Sequence, residues 1–212
     1  MSKTSLIIVG AGALSREVIC WVESAQTQGL NVNIKGYLVD PEFNKLPEHY
    51  QLPWLGKAGD YAPQPDEACL IAISDPATKH AVAEQLQARG ARFFTFIHPS
   101  AVVARTARLG QGCILCPHAM VSADADVGDF VTINAHTSLG HDSKVGHYVN
   151  FSAHVDITGY VEIGEGSFFG SGARVLPKLK IGANAKIGAG AVVMRSIPSN
   201  STVYTTPAKR LR

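Results

Sequence analysis

From Ile97 to Val193 every sixth residue is apolar: Ile97, Val103, Leu109, Leu115, Val121, Val127, Ile133, Leu139, Val145, Phe151, Ile157, Ile163, Phe169, Val175, Ile181, Ile187 and Val193. With about a third of positions large and apolar by composition, such a run has a chance probability on the order of 10⁻⁸. The step excludes both the roughly 3.6-residue period of a helix and the roughly 2-residue period of a half-buried strand. Two residues before each position the side chain is mostly small or β-branched, as at Ala101, Ala107, Cys113, Ala119, Val131, Thr137, Ser143, Ala185 and Ala191, with Leu179 the main exception. One residue after it glycine recurs, at Gly110, Gly128, Gly140, Gly146, Gly164, Gly170, Gly182 and Gly188. The pattern predicts a short strand and a tight, strained corner every six residues, stacked into a solenoid of parallel strands with the aliphatic column inside.

A repeat of this kind resembles the hexapeptide-repeat acyltransferases. The resemblance implies an all-β left-handed parallel β-helix of triangular cross-section, three hexapeptides to a coil. Residues eighteen apart should then stack at roughly the inter-strand spacing of 4.8 Å.

The pattern changes at Ile97, which divides the 212 residues into a unit over 1–96, the helix over 97–196 and a tail over 197–212. The formal charge is +2, and the longest basic group is Lys209, Arg210 and Arg212, so nucleic acid is not an expected partner. The apolar start Leu6 to Val9 is too short for a signal sequence or a membrane span, and a soluble, cytoplasmic protein is expected. Four cysteines do not make a secreted disulfide framework. Cys113 and Cys116, with His118 nearby, would suggest zinc. The repeat already accounts for Cys113, and no second pair completes four ligands, so no metal is expected.

Residues 1–96 alternate in type: strands at Ser5–Val9, Val32–Val39, Cys69–Ile73 and Arg92–Phe96, with helices at Ala13–Ala25 and Ala77–Ala88. This is a small parallel α/β unit, about half of a doubly wound, Rossmann-like fold. Its first turn reads Gly10-Ala11-Gly12-Ala13-Leu14-Ser15, and Asp40 follows the second strand. Glycines there let the backbone approach a phosphate at a helix N-terminus. Ser15 replaces the third glycine of the dinucleotide fingerprint and the second mononucleotide half is missing, which favours a nucleotide attached to something else over a dehydrogenase cofactor.

An α/β unit directly before a hexapeptide helix resembles the sugar acetyltransferases of the NeuD and PglD type. The motifs are Ile7 to Gly12 with Arg16-Glu17-Val18, the Asp40 turn, Ile97-His98-Pro99, the repeat, and Pro207-Ala208-Lys209-Arg210. The resemblance implies an acetyl-CoA-dependent N-acetyltransferase, a homotrimer with sites between subunits, acting on the amine of a nucleotide-linked deoxy-amino sugar for surface glycan biosynthesis. O-acetylation of sialic acid or a related sugar is the alternative. The first unit would hold the sugar nucleotide through Gly10, Gly12, Ala13, Asp40 and Ser74. Three stretches depart from the family: Ala13-Leu14 where many relatives have Gly-His, Ser74-Asp75-Pro76 where many have Gly-Asn-Asn, and Thr205-Thr206 where a glycine usually stands. They bear on which sugar is used rather than on the reaction.

Five histidines lie in the repeat: His118, His136, His141, His147 and His154. His118, His136 and His154 are eighteen apart and should stack as a ladder. Asn134 to Gly146 matches the family's active-site segment, which implies that His141 is the catalytic base with Asp142 beside it. Acetyl transfer to an amine needs a base for the acceptor's proton, and neutral imidazole suits this. An adjacent carboxylate can orient the ring. Most relatives have glutamate there, so the shorter Asp142 is expected to reach another nitrogen or to act through its field. Stacking puts Gly159 beside His141 on the next coil, and its N–H is the expected oxyanion donor. The resemblance further implies that acetyl-CoA lies in a groove between two helices, lined by Asn150, Ser171 and Ala189, with Lys209 and Arg210 at the phosphates. The repeat has no insertion that could wall off the site, a task left to the α/β unit.

A remote competitor is a zinc lyase of the γ-carbonic anhydrase type, which shares the helix and the His136-x₄-His141 spacing. The position of its third histidine holds Ser100, so it would have to recruit His118. A nucleotide-binding scaffold without catalysis is the other competitor, and His141 with Asp142 argues against it.

Overall fold

The computed structural model describes residues 3–206. Strands β1 (Thr4–Val9), β2 (Val32–Leu38) and β3 (Glu67–Ile71) form a parallel sheet in the order β2-β1-β3. Helix α1 (Ala13–Thr27) buries Leu14, Val18, Ile19, Val22 and Ala25, spaced three and four apart along one stripe. Helix α2 (Pro76–Ala88) starts where the Asp75 carboxylate accepts the Thr78 N–H, with Pro76 in the first turn. The expected strand at Arg92–Phe96 does not form as such. Phe93 makes a single bridge to Cys69, while Phe96 and Ile97 pair with Ile114 and Leu115 and so begin the solenoid.

Beyond Phe96 two-residue strands stack into three parallel sheets. The first face runs from Phe96–Ile97 to Thr202–Val203, the second from Val102–Val103 to Val192–Val193, and the third from Arg108–Leu109 to Lys180–Ile181. Partners are eighteen apart, as in Thr132 with Asn150 and Ser138 with Asp156. The sixfold column fills the core, from Leu115 through Phe151 to Val193. The last coil is shorter: Ile181 bridges to Ile197, and Thr202–Val203 pairs with Lys186–Ile187. Solenoid pairing therefore extends past residue 196 into the stretch read as a tail.

The corners correct one expectation. The recurring glycines are not the strained residues; left-handed backbone falls three positions after each core residue, at His118, Asp124, Phe130, His136, Asp142, Tyr148, His154 and Tyr160 among others, with φ near +60°. Gly140 is required for another reason, because a Cβ there would lie 2.5 Å from the carbonyl carbon of Thr158 on the next coil. Close stacking selects those glycines, and the corner tolerates larger residues at the strained position.

The three faces meet different surroundings. The first is covered by the N-terminal unit: Phe96, Ile114 and Cys116 pack in one cluster with Leu14 and Val18 of α1. On α2, Lys79 is 1 % exposed, and its Nζ donates to Thr132 Oγ1 at 2.8 Å and to the Phe130 carbonyl at 3.2 Å. Burial pushes its ammonium down to about 7. The third face carries alternating charges, Arg108, Asp126, Lys144, Glu162 and Lys180, with ion pairs Arg108–Asp126 at 3.1 Å and Lys180–Glu162 at 2.9 Å. The second exposes Val102, Met120 and Val192. No helix among the described residues is long and apolar enough to cross a membrane.

Candidate active site

His141 sits on the corner between the second and third faces, directly after Gly140 and before Asp142, which takes the left-handed conformation. Its Nδ1 lies 2.8 Å from Asp142 Oδ2. The shorter carboxylate thus reaches the ring directly. With Asp142 ionised, this contact needs the proton on Nδ1 and leaves the Nε2 lone pair free. Both side chains remain partly open to solvent.

Gly159 lies where the eighteen-residue stacking puts it. A Cβ added to it would come within 2.6 Å of His141 Cε1 and Nε2, so the imidazole rests over its Cα. The Gly159 N–H finds no acceptor among the described residues. Tyr160, which the sequence reading missed, donates its N–H to the His141 carbonyl at 3.0 Å and sets its ring edge-on to the imidazole, with centroids 5.1 Å apart. An aromatic eighteen residues after Asp142 was the available signal, since that spacing places it beside the site. On the preceding coil Ala123 holds the position of His141, so small residues flank the imidazole on both sides along the corner.

The other histidines form a structure of their own. His118, His136 and His154 stack on the corner between the first and second faces, with ring centroids 4.9 and 5.0 Å apart. His136 and His141 stand on different corners and His136 is stacked within its ladder, so the two do not converge on a metal within one chain. Cys113 packs in the solenoid core and Cys116 against α1, on opposite sides of the wall. Burial pushes the Cys113 thiol up to about 11 and the Cys116 thiol higher still.

Around the first turn, Gly10, Gly12, Ala13, Ser74, Lys45, Phe43 and Thr78 line a cavity of about 460 Å³. Gly12 begins α1 with no side-chain cap, which leaves that helix end open to an anion. Asp40 does not line this cavity; its exposed side chain precedes a short 3₁₀ turn at Pro41–Phe43. A second trough of about 490 Å³ touches the same end of α2 at Asp75 and runs to Phe168, Asn184 and Lys186.

The residues expected at the acetyl-CoA groove do not gather in one chain. Ser171 and Ala189 are exposed on the corner between the first and second faces, one coil apart in the same line as the histidine ladder. Asn150 is 3 % exposed and its Oδ1 has no hydrogen-bond partner among the described residues. It projects from the first face beside Thr132, under the N-terminal unit, and so does not line an open groove of its own chain. Lys209 and Arg210 lie outside the described residues.

A profile described as bacterial transferase hexapeptide (six repeats) matches residues 160–195. No curated protein sequence matches the chain. Solved structures do, over nearly its full length. The acetyltransferase domain of PglB from Neisseria gonorrhoeae has 26 % identity, covers 99 % of this chain and 100 % of its own, and superposes with a TM-score of 0.85. PerB from Caulobacter crescentus, in complex with CoA and GDP-perosamine, has 29 % identity, coverage of 97 % and 96 %, and a TM-score of 0.82. WeeI from Acinetobacter baumannii has 25 % identity, coverage of 98 % and 99 %, and a TM-score of 0.73. Over its repeat the chain carries the bacterial transferase hexapeptide pattern, and over nearly its full length it is similar in structure to hexapeptide-type acetyltransferases.

Proposed function

We propose that this protein is an acetyl-CoA-dependent N-acetyltransferase that acts on the amine of a nucleotide-linked deoxy-amino sugar. The observation that carries the reading is His141, held by Asp142 through Nδ1 and lying with Nε2 over Gly159. The donor is supported by a PglB acetyltransferase domain solved with acetyl coenzyme A. The acceptor class is supported by a perosamine N-acetyltransferase solved with CoA and GDP-perosamine, including variants in which a histidine is replaced. These relatives favour an amine over the hydroxyl acceptor of an O-acetyltransferase. In this reading residues 1–96 form a Rossmann-like half that holds the sugar nucleotide, and the solenoid is left-handed.

His141 Nε2 takes the proton of the acceptor amine as its nitrogen attacks the thioester carbonyl, and the imidazolium that forms is stabilised by Asp142. Gly159 N–H donates to the carbonyl oxygen as it gains negative charge. The same imidazolium can then return its proton to the departing thiolate.

The reading makes the active unit a homotrimer. The N-terminal unit covers the first face, whereas His141 stands on the corner opposite that face, so the cavity at Gly10 and Gly12 and the imidazole of one chain lie on opposite sides of the solenoid. A sugar held there meets a partner's His141, and the exposed Val102, Met120 and Val192 offer an apolar face for contact between copies. Ser171 and Ala189 would then belong to the partner's wall of the groove.

Thiol release from acetyl-CoA tests the reading, with a panel of nucleotide-linked amino sugars and free sialic acid. Turnover with a nucleotide-linked amine is expected, and His141→Ala should lower kcat by about 10² to 10⁴ with the oligomer intact. Asp142→Asn should cost less. Unchanged turnover in His141→Ala removes the mechanism, and turnover only with sialic acid moves the product to an ester.

A further inference from the structure

The second face is bordered by two corners whose last turn positions carry different chemistry at equal heights. On the corner between the first and second faces these positions run Ser100, His118, His136, His154, Gly172 and Gly190. On the corner between the second and third faces they run Thr106, Asp124, Asp142, Tyr160, Lys178 and Ser196. Coil by coil, each imidazole shares its level with an acid or a phenol: His118 with Asp124, His136 with Asp142, and His154 with Tyr160. The cations of the second corner fall outside these three coils. Arg105 lies one coil before Asp124 and Lys178 one coil after Tyr160, where the first corner has Ser100 and Gly172 in place of an imidazole.

All six residues of the three coils stand on left-handed backbone, with φ between 57° and 61°. The same line holds Gly172 and Gly190 further on, so the imidazoles are kept at positions that locally favour glycine. Their ring nitrogens find no hydrogen-bond partner among the described residues, whereas His98, His141 and His147 each have one through Nδ1. Asp124 is exposed, and Asp142 gives Oδ2 to His141 while its Oδ1 has no partner among the described residues. Donors on one edge of the face and acceptors on the other cannot meet within one chain, because the face lies between them. They do meet between copies rotated about an axis parallel to the solenoid, since a closed ring sets one edge of each chain against the other edge of the next at equal height. The exposed Val102, Met120 and Val192 of the second face would then turn toward that axis.

We propose that the imidazole ladder docks against the line of Asp124, Asp142 and Tyr160 on a second copy of this chain. In this arrangement the partner's His136 donates to Oδ1 of Asp142 and acts as a positioning residue for the Asp142 and His141 pair. The proposal rests on the reading of the active unit as a homotrimer. It names the side chains that set the height of one copy against the next and gives each site an imidazole from its neighbour.

Sedimentation of the full chain over a dilution series reads the docking without substrate. His118→Asp sets carboxylates against each other and should raise the concentration of half-dissociation about tenfold or more, and Asp124→His should do the same. The variant that carries both exchanges should return close to wild type, although the two positions stand on different corners of their own chain. Circular dichroism matching wild type shows the solenoid intact. At concentrations where the oligomer is whole, His136→Ala should lower kcat about tenfold with the KM for acetyl-CoA unchanged, and His136→Gln, which keeps a donor, should retain most of the rate. A monomeric or dimeric wild type, an oligomer indifferent to His118→Asp, or a double exchange as weak as its two parts together would overturn the docking. Wild-type kcat in His136→Ala would overturn the positioning role. Rescue by the double exchange in a protein that acetylates no sugar amine would uphold the docking and sink the sugar reading alone.

Discussion

A Cβ on Gly159 would press against Cε1 and Nε2 of His141, so the glycine at this corner keeps the imidazole where it is. Elsewhere the same turn position accepts Ala123 and Ala189, so alanine is compatible with the corner itself. Gly159→Ala should therefore fold normally yet lower kcat by about 10² or more, because in the proposed mechanism the ring and the oxyanion donor lose their alignment. Circular dichroism with single-turnover kinetics would check this, and a variant with wild-type rates would remove Gly159 from the mechanism. Gly159 was legible in the sequence once the resemblance to the hexapeptide-repeat acyltransferases set three repeats to a coil. The Asp142–Nδ1 contact was not, since it depends on the left-handed backbone that turns the short carboxylate back onto its neighbour. Nor was Tyr160 noticed, whose ring closes one side of the imidazole.

At the scale of elements, α2 joins the two halves of the chain. Its first turn lines the cavity through Asp75 and Thr78, and the next residue, Lys79, is buried on the first face of the solenoid. Burial holds the Lys79 ammonium at about 7, against 10.5 in an unfolded chain, with Cys113, Asp75 and Cys116 pulling weakly the other way. Between these values the unfolded chain binds a proton that the folded one lacks, so this lysine makes stability rise as pH increases from about 7 to 10.5 and lowest below 7. Lys79→Met should flatten the pH dependence of the melting temperature over that window, whatever it does to the absolute value. A variant whose pH profile matched wild type would show that the lysine keeps its proton through a partner not accounted for. The outward column of the first face, Phe96, Ile114, Thr132, Asn150 and Phe168, differs visibly from the charged column of the third. That contrast foretells which face is covered, but only after the sequence is read in steps of eighteen. Asn150, expected in the groove, sits in that covered column.

At the scale of the molecule, cavity and imidazole stand on opposite sides of one solenoid, and the proposed reading therefore ties activity to assembly. Co-expressing His141→Ala chains with chains whose cavity is filled by Gly12→Phe should recover about a quarter of wild-type activity from two inactive parents, as random mixing of a symmetric oligomer requires when each site joins two chains. A Cβ at Gly12 meets no atom within 4 Å, so the bulky residue occupies the cavity without straining the turn. No recovery in verified mixed oligomers would place both halves of the site in one chain. The sequence by itself determined a solenoid of parallel strands and the identity of its core, because a six-residue apolar column has to be stacked inward, while the eighteen-residue register came from the resemblance to the hexapeptide-repeat acyltransferases. It also determined the first two strands and both helices of the N-terminal unit, where cap residues and apolar spacing act locally. Tertiary structure alone decided which face that unit covers, that Arg92–Phe96 feeds the solenoid instead of the first sheet, and that Asn150 is shut away while Lys178 and Arg195 stay open. Those outcomes depend on packing between segments far apart in the chain, and no local period or propensity encodes them.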